Sequence, residues 1–465
     1  MKELLLLSGI GVLAMLTEIF QVKKWVFPLV LVGLATVIAL SITDFQYVLR
    51  GGAVGTWYGM MEMDKFALAF NIVTCGIAML WMMLSEGYFE ERNSATDHYA
   101  LVFFALTGAL LMVSFTNLSM LFLGIEILSI SMYVLAGSQK RDTRSNEAAF
   151  KYFLMGAFAS GFLLFGFALV YGITGTFDVK LIGERIGDIY MRNGNLTILT
   201  VGVVMILVGM GFKISAAPFH FWAPDVYEGS PTVITAFMAT VVKTAAFAAF
   251  FRLFSVCFPY LHHSWVDIVT VMLVLTLLIG NISAVMQWDA KRMLAFSSVA
   301  NAGYMLFTII ATNNGNAYQS LLFYAVSYSL ASLGTFGILY VVAGARGGAT
   351  DVAAFDGLGK TNPLLAGAMT FCLLSLAGIP PLAGFMAKYF VFANAIHDGN
   401  IGLVLFAVVM SLVGVYYYFR IIVGMYFHGS ANTNPVEGNP LQNLLISIVC
   451  GLLLLLGLLP GLLYS

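Results

Sequence analysis

The sequence predicts an all-α polytopic membrane protein with about fourteen transmembrane helices. Hydrophobic residues make up 60% of the 465 residues, charged residues only 10%, and the mean hydropathy is +0.92. Soluble domains carry roughly 25% charged residues. The apolar residues form near-continuous runs of about 20, the length that an α-helix needs to cross the hydrocarbon core. A membrane β-barrel would instead show alternation over about 10 residues.

Apolar runs separated by charged residues or by Gly, Pro and Asn define the spans in order. Their limits are residues 3–20, 26–42, 66–84, 98–115, 118–138, 148–173, 196–217, 231–256, 265–286, 293–312, 316–343, 363–397, 401–427 and 441–463. The connecting segments are too short to form domains. We therefore expect a single membrane domain over residues 1–465, with N-terminal helices 1–3 (1–97), a first half (98–256), a second half (265–427) and a C-terminal helix (441–463).

The twelfth span is too long to be one straight helix across a membrane. Its 35 residues would extend about 52 Å, whereas the hydrocarbon core is about 30 Å thick. Pro380 and Pro381 lie within it, and proline interrupts helices. The sequence therefore predicts a discontinuous helix with its break between Gly378 and Gly384.

The seventh span shows a weaker form of the same pattern. Gly209, Gly211 and Pro218 flank Lys213. Discontinuous helices mark ion sites in transporters, where the irregular backbone lines a cavity. Two interrupted spans that lie five apart suggest a possible inverted repeat, in which helices 4–8 correspond to helices 9–13.

The basic residues predict the orientation of the chain. Of the 22 Lys and Arg residues, ten lie in loops on one face of the predicted bundle and six on the other. Cytoplasmic loops carry the excess of Lys and Arg, so the first face is expected to be cytoplasmic and both termini periplasmic. The ten are residues 23, 24, 92, 140, 141, 144, 291, 292, 346 and 360.

Few ionisable residues lie within the spans. An ionisable side chain at the bilayer centre costs at least ~2.5 kcal/mol, so it is a functional candidate by default. Arg252 and Arg420 are close enough to helix ends to reach the membrane interface, which favours a structural role. The acidic candidate near the middle of a span is Glu126, and the basic candidates are Lys151, Lys213, Lys243 and Lys388.

Glu126 and the buried lysines are predicted to form a proton relay. Desolvation favours the neutral form of lysine, whereas a nearby carboxylate favours the charged form. A change in the position or charge of Glu126 would therefore switch a lysine between protonated and neutral, as a relay requires. A purely structural Glu–Lys pair is the alternative, although buried pairs contribute little net stability and the lysines outnumber the carboxylate.

Cysteine and histidine positions favour neither a metal site nor a redox centre. The four cysteines are scattered through apolar segments without Cys-x-x-Cys spacing, so neither an iron–sulfur cluster nor a zinc site is expected. The histidines include no pair placed to clamp a haem within the membrane. The net charge of −1 says nothing about nucleic acid, but the sequence has no basic patch that would bind it. The lipid bilayer is the expected surrounding partner.

Three segments give the chain a family resemblance. They are GFKISAAPFHFWAPDVYEGSP (211–231), KRMLAFSSVANAGY (291–304) and SLAGIPPLAGFMAKYFVF (375–392). Because of these segments, the chain resembles the antiporter-like proton-translocating subunits of respiratory complex I and their cation/proton antiporter relatives. The resemblance extends from about Glu126 to Arg420. A lysine at position 388 makes the chain more similar to the N and L types of these subunits than to the M type. Fourteen spans without a long C-terminal lateral helix favour the N type.

The resemblance implies roles for particular residues. Glu126 matches the charge-coupling glutamate of the family, Lys213 the central lysine, Lys243 the connecting lysine and Lys388 the exit-side residue.

Further positions match the internal hydrophilic axis of the family or depart from its pattern. His220 and Lys151 match additional polar positions of that axis. Asn301 stands where many relatives carry a histidine, and Ala387 replaces the usual glycine before Lys388. We expect Ala387 to make the turn around Lys388 less permissive.

The function implied by the resemblance is that of a membrane-arm subunit in a proton-pumping NADH:quinone oxidoreductase of the bacterial plasma (inner) membrane. No cofactor is then expected in this chain. FMN, iron–sulfur clusters, NADH and quinone would be bound by partner subunits, and other membrane subunits of complex I would adjoin it. The alternatives are a subunit of a multi-subunit sodium/proton antiporter, a subunit of a membrane-bound hydrogenase, or a structural scaffold of the membrane arm.

Overall fold

A computed structural model describes residues 1–20, 25–90, 95–192, 194–312, 314–429, 436 and 438–464. Within these ranges the chain forms nineteen α-helices and one antiparallel hairpin. The helices are α1 Lys2–Ile19, α2 Val26–Leu49, α3 Lys65–Glu90, α4 Ala95–Ser114, α5 Leu118–Ala136, α6 Thr143–Thr174, α7 Val179–Met191, α8 Thr197–Lys213, α9 Trp222–Gly229, α10 Thr232–Phe237, α11 Lys243–Cys257, α12 His262–Val285, α13 Ala290–Ile310, α14 Ala317–Ala345, α15 Leu358–Thr361, α16 Pro363–Ala377, α17 Ala383–His397, α18 Ile401–Phe427 and α19 Pro440–Leu458. The hairpin strands are β1 Gly55–Trp57 and β2 Met61–Met63.

The predicted all-α membrane fold is confirmed. Across the described ranges, eleven helices are long and apolar enough to cross a membrane. Two shorter apolar helices, α8 and α16, each end at an interruption. These interruptions fall in the seventh and twelfth predicted spans. Lys23, Lys24 and Arg92, three of the cations behind the predicted orientation, lie outside the described residues.

Two predicted loops contain secondary structure. The segment 43–65 includes the end of α2 and the β1–β2 hairpin, and the segment 174–195 includes α7. α7 buries Val179, Ile182 and Ile186 and exposes its charged side chains. It is therefore an amphipathic helix too polar and too short to be a span.

The first compact unit comprises Met1–Ile214 and Val241–Val269. In it α4 packs against α1, α3 and α5, while α6 packs against α5 and α8. The Arg252 guanidinium on α11 forms an ion pair with Asp64 and lies over the ring of Phe66. Arg252 is buried, so it links α11 to the start of α3 within the unit.

Glycine pairs bring helix backbones of the first unit into direct contact. A Cβ on Gly124 of α5 would meet the carbonyl oxygen of Gly108 on α4 at 2.9 Å. A Cβ on Gly166 of α6 would meet the carbonyl oxygen of Gly202 on α8 at 2.7 Å. Small residues allow membrane helices to approach this closely. The contacts fix α5, α6 and α8, the helices that carry the candidate residues Glu126, Lys151 and Lys213.

The second compact unit comprises Ser215–Thr240 and Thr270–Ser465. α14 packs against α10, α13, α16, α17 and α19, so it is the central helix of this unit. Arg420 on α18 donates from Nη1 to the carbonyl oxygen of Val285 at 3.1 Å and from Nη2 to that of Gln287. It therefore satisfies carbonyls at the C-terminal end of α12.

The break in the twelfth span is built by glycine and two prolines. Gly378 adopts φ +82° and caps α16, with its N–H directed to the carbonyl oxygens of Leu374 and Ser375. Pro380 and Pro381 follow, and α17 begins at Ala383. The predicted discontinuity is therefore confirmed. The predicted inverted repeat and the predicted division into two halves stay predictions.

One expectation about this break was wrong. Ala387 does not lie in the turn but inside α17, where it is buried. Alanine is the most favourable residue for a helix interior, so at this position it favours the helix that carries Lys388.

Candidate functional site

Glu126 lies on the α5 face that packs against α6. Its Oε1 accepts a hydrogen bond from Ser160 Oγ on α6, and the side chain is half-buried. Ser160 is 34 positions away in the sequence, so the contact depends on the packing of the two helices. The bond satisfies one carboxylate oxygen without neutralising its charge.

Lys213 is the last residue of α8 and is only 6% exposed. Its Nζ donates to Ser129 Oγ on α5. Ser129 follows Glu126 by three positions, which places both on one face of α5. The contact shown for the Lys213 ammonium is with a neutral hydroxyl, one helical turn from the Glu126 carboxylate. The structure thus brings Glu126 and Lys213 into one cluster.

Lys243 begins α11 directly after a π-helical turn at Met238–Val242. Its side chain is 2% exposed. Single π-helical turns within α-helices occur frequently at functional sites. The turn changes the helical register immediately before Lys243 and so sets the direction in which this lysine points.

Lys151 differs from the other candidates. It lies on α6, forms a 2.8 Å ion pair with Glu147, and its side chain is 34% exposed. Ser160, the partner of Glu126, is nine residues further along α6, or about 13 Å. Along α6, Lys151 is therefore about two and a half turns from the residue that contacts Glu126.

Lys388 lies in the second unit, on α17, and is 8% exposed. Its Nζ donates to the carbonyl oxygen of Ala377 and to Ser411 Oγ, both at 2.8 Å, and lies 4.6 Å from the ring centre of Tyr304. A Cβ on Gly378 would approach Lys388 Cδ to 2.8 Å. The break between α16 and α17 thus provides both a free carbonyl oxygen and the space for the lysine.

A small cavity of about 10 Å³ lies beside Lys388, also lined by Asn301, Tyr324 and Ser327. This is about the space that one water molecule requires. Tyr324 OH donates to Asn301 Oδ1 at 2.9 Å, and Asn301 Nδ2 donates to the Ser297 carbonyl oxygen at 2.9 Å. Ser327 Oγ is buried without a partner among the described residues. The wall of the cavity therefore offers polar groups to a water molecule.

His220 lies in the second unit, between α8 and α9, and is 3% exposed. The backbone of this connection is held by a 2.8 Å hydrogen bond from the Ala217 N–H to Thr276 Oγ1 on α12. Nδ1 of His220 is buried, and no described residue bonds to it. A buried polar atom of this kind is suited to a water molecule or a transient proton donor.

The contacts shown for Lys213 and Lys388 allow each lysine to be protonated without a salt bridge to a carboxylate. The contacts shown for Lys213 and Lys388 are to hydroxyls and a carbonyl, and all of these oxygens can accept from either lysine form. Within the described ranges, no group of three His, Cys, Asp or Glu residues is placed to hold a metal ion.

Sequence reasoning missed the neutral partners of these residues. Ser129, Ser160 and Ser411 are ordinary membrane-helix serines by composition, and Asn301 was noted only as a departure from a pattern. Ser129 gave one usable signal, its spacing of three residues from Glu126 on a predicted helix. The other partners come from distant parts of the chain.

Comparison with known proteins identifies relatives along the whole chain. The family profile described as NADH:quinone oxidoreductase/Mrp antiporter, TM matches residues 115–414. NADH-quinone oxidoreductase subunit N of Cytophaga hutchinsonii is 41% identical, over 100% of this chain and 98% of the relative.

Solved structures share the fold. A chain in respiratory complex I from Thermus thermophilus with bound aureothin aligns with TM-score 0.85 and 34% identity, over 99% of this chain and 98% of that one. A chain in the Mrp complex from Dietzia sp. DQ12-45-1b aligns with TM-score 0.85 over 100% of this chain and 96% of that one, but at 21% identity it shows the fold alone. From the profile match and the full-length relatives, this chain belongs to the NADH:quinone oxidoreductase/Mrp antiporter family of membrane proteins and, within it, to the NADH-quinone oxidoreductase subunit N branch.

Proposed function

We propose that this chain is a proton-translocating subunit in the membrane arm of a bacterial NADH:quinone oxidoreductase. Full-length similarity to subunit N proteins supports the assignment to this complex. The contact of buried Lys213 with Ser129, one helical turn from Glu126, is the observation that carries the proton-transfer role. A lysine held by a hydroxyl can release its proton without leaving a bonded carboxylate unpaired in the interior.

Each candidate residue has a role in this proposal. Glu126 is the charge switch, Lys213 the central proton carrier, Lys243 and His220 the relay, and Lys388 the gate toward the periplasm. Lys151 on α6 is a supporting residue. When Glu126 is negative it favours the charged form of Lys213, and when its charge is neutralised or withdrawn Lys213 favours the neutral form.

The chemistry that drives the transfer belongs to other subunits in this proposal. The chain itself holds no redox centre. Partner subunits bind NADH, FMN, iron–sulfur clusters and quinone, and the other membrane subunits of complex I adjoin this chain. The complex lies in the bacterial inner membrane, with both termini of this chain in the periplasm.

Lys213→Ala in the assembled, reconstituted complex tests the role of the central lysine. We expect the number of protons translocated per NADH oxidised to fall, because the central carrier is missing. Lys180→Ala is the matched control, since Lys180 is an exposed lysine that pairs with Glu62 outside the spans. An unchanged stoichiometry in the Lys213 variant, with normal assembly, would contradict the assigned role.

Purification separates this function from that of an antiporter subunit without redox coupling. In the proposed function, this chain copurifies from native membranes with flavin-containing and iron–sulfur subunits. Copurification with antiporter subunits alone, or with hydrogenase subunits, would assign the chain to those complexes.

A further inference from the structure

Lys388 lies in a part of the second unit whose helices carry no acidic residue. α17, the helix of Lys388, packs against α13, α14, α16, α18 and α19. The sequences of these six helices contain neither Asp nor Glu. The situation differs from that of Lys213, whose partner Ser129 is one turn from Glu126 on α5. Neutral groups therefore have to stabilise the protonated form of Lys388.

The charged residues of the same helices are distant from Lys388. Each is at least nine residues along its helix from the group that contacts Lys388, or about 13 Å. They are Lys291, Arg292, His397 and Arg420. α16 contributes a carbonyl oxygen and α18 a hydroxyl, and α19 carries no charged residue. The ionisable side chains beside Lys388 are phenols, which are neutral at physiological pH: Tyr304, Tyr324 and Tyr328.

The Lys388 ammonium has three described neighbours. A protonated lysine has three N–H donors. Nζ of Lys388 donates to the carbonyl oxygen of Ala377 and to Ser411 Oγ, both at 2.8 Å. The third neighbour is the ring of Tyr304, whose centre lies 4.6 Å from Nζ. A cation within about 6 Å of a ring centre is attracted to the negative face of the ring.

Packing holds the Tyr304 ring in this position. Tyr304 lies on α13 and is 3% exposed. The ring of Phe392 on α17 packs against it at 67°, with 6.2 Å between the ring centres. Phe392 follows Lys388 by four positions, so both lie on the same face of α17. This face of α17 therefore fixes the lysine and the tyrosine ring relative to each other.

Burial strengthens the contact between the ring and the ammonium. A cation–π attraction is roughly two- to fourfold stronger at a desolvated site than at an exposed one. The neutral amine carries no charge for the ring to attract, so the ring favours the protonated lysine. We propose that Tyr304 is a positioning residue that holds protonated Lys388 with its ring, where no carboxylate is present. This inference rests on the proposed role of Lys388 as a gate.

The ring of Tyr304 is the part that makes this contact. The hydroxyl is buried and forms no hydrogen bond with a described residue in this geometry. Tyr304→Phe therefore keeps the ring and removes no hydrogen bond that the structure shows. Tyr304→Leu removes the ring and leaves an apolar side chain. The two variants separate the ring from the hydroxyl.

The pH dependence of proton translocation by the reconstituted complex tests this role. Translocation should decline at high pH as Lys388 becomes neutral. In Tyr304→Leu the pH of half-maximal translocation on the alkaline side should fall by about one unit, which corresponds to about 1.4 kcal/mol. Tyr304→Phe should keep the wild-type profile. Tyr389→Leu, next to Lys388 on α17 but 55% exposed, is the matched control and should also keep it.

Two further variants make the result specific. If the Tyr304→Leu complex does not assemble, Tyr304→Met carries the same expectation, because methionine is flexible, fills irregular space and has no ring. Lys388→Met removes the ammonium. In that background Tyr304→Leu should not shift the remaining pH profile, because residues that act only through each other show no separate effect.

Three results would overturn the role of Tyr304. One is a wild-type alkaline midpoint in the variants without a ring. Another is an equal shift in Tyr304→Phe and Tyr304→Leu, which would assign the effect to the hydroxyl. The third is a shift of the same size when Tyr304→Leu is made in the Lys388→Met background.

Failure of the proposed function would look different. Lys388→Met alone would then translocate the wild-type number of protons per NADH oxidised. If that number falls in Lys388→Met while the variants without a ring keep the wild-type midpoint, the gate role of Lys388 stands and the role of Tyr304 is wrong.

Discussion

Two buried lysines, one in each compact unit, share a pattern of neutral hydrogen-bond partners. Lys213 donates to Ser129, and Lys388 donates to Ser411 and to the carbonyl oxygen of Ala377. A hydroxyl or carbonyl stabilises the ammonium less than a carboxylate does. Because hydroxyls and carbonyls are neutral, loss of the lysine proton leaves no unpaired charge on them in the interior. The pattern is suited to lysines that change protonation during turnover.

Ser129→Ala tests this pattern at Lys213. Hydrogen bonds to charged groups contribute about 1.5–3 kcal/mol, so its loss should lower proton-coupled NADH oxidation by roughly tenfold. Ser131→Ala is the matched control, because Ser131 is also buried on α5 and its hydroxyl donates to the Ile127 carbonyl oxygen. Equal rates for the two variants in the assembled complex would show that the Ser129 hydroxyl has no role in transfer.

At the scale of elements, the interrupted helices position the lysines. α8 ends at Lys213, the π-helical turn ends just before Lys243, and the break after α16 exposes the Ala377 carbonyl oxygen to Lys388. Each lysine is thus placed at or beside an irregularity in its span. Irregular backbone within a membrane needs such polar partners, because lipid supplies none.

Gly378→Ala tests the break in the twelfth span. The added Cβ would lie 2.8 Å from Lys388 Cδ, and φ +82° is unfavourable for alanine. We expect coupled turnover to fall several-fold while the complex still assembles. Gly402→Ala on α18, where a Cβ meets nothing within 4 Å, should retain wild-type turnover. A Gly378 variant with wild-type turnover would mean that the geometry of the break does not position Lys388.

Gly166→Ala tests the contact between α6 and α8. The Cβ would meet the Gly202 carbonyl oxygen at 2.7 Å, and overpacking of this kind typically costs about 1–3 kcal/mol. The purified complex should therefore denature at a lower temperature. Gly161→Ala, on the same helix with open surroundings, serves as the control. Equal melting of the two variants would contradict the close helix contact.

The elements were more predictable than the site. Hydropathy and length predicted the spans, and the two prolines predicted the break before α17. α7 was missed because its short amphipathic pattern, with Val179, Ile182 and Ile186 buried, lies in a polar segment. The bond between Ser160 and Glu126 could not be predicted, since it depends on how α5 and α6 pack. The Tyr324–Asn301 bond likewise joins two helices and has no local signature.

At the scale of the whole molecule, the proposed relay is distributed over two compact units. Glu126, Lys213 and Lys243 belong to the first unit, and His220 and Lys388 belong to the second. Each unit therefore contains buried groups able to hold a proton. The proposed scheme requires both units for one transfer across the membrane.

Orientation is the first whole-molecule prediction. Because Lys and Arg are more frequent in the loops of one face, both termini should be periplasmic. Alkaline phosphatase fused to the C terminus should be active, and green fluorescent protein fused at the same position should not fluoresce. Fusions within the loop that carries Lys140 and Arg141 should give the reverse. The opposite pattern would invert the direction assigned to the Lys388 gate.

Glu126→Gln in the reconstituted complex distinguishes a proton relay from a structural scaffold most directly. The substitution preserves shape and leaves an oxygen to accept from Ser160, so the charge is removed while this hydrogen bond can remain. Glu62→Gln, outside the spans, is the control. The relay predicts that protons translocated per NADH oxidised fall in the Glu126 variant while the complex assembles normally. Wild-type proton stoichiometry and turnover in that variant would contradict the relay and leave Glu126 as a packing residue.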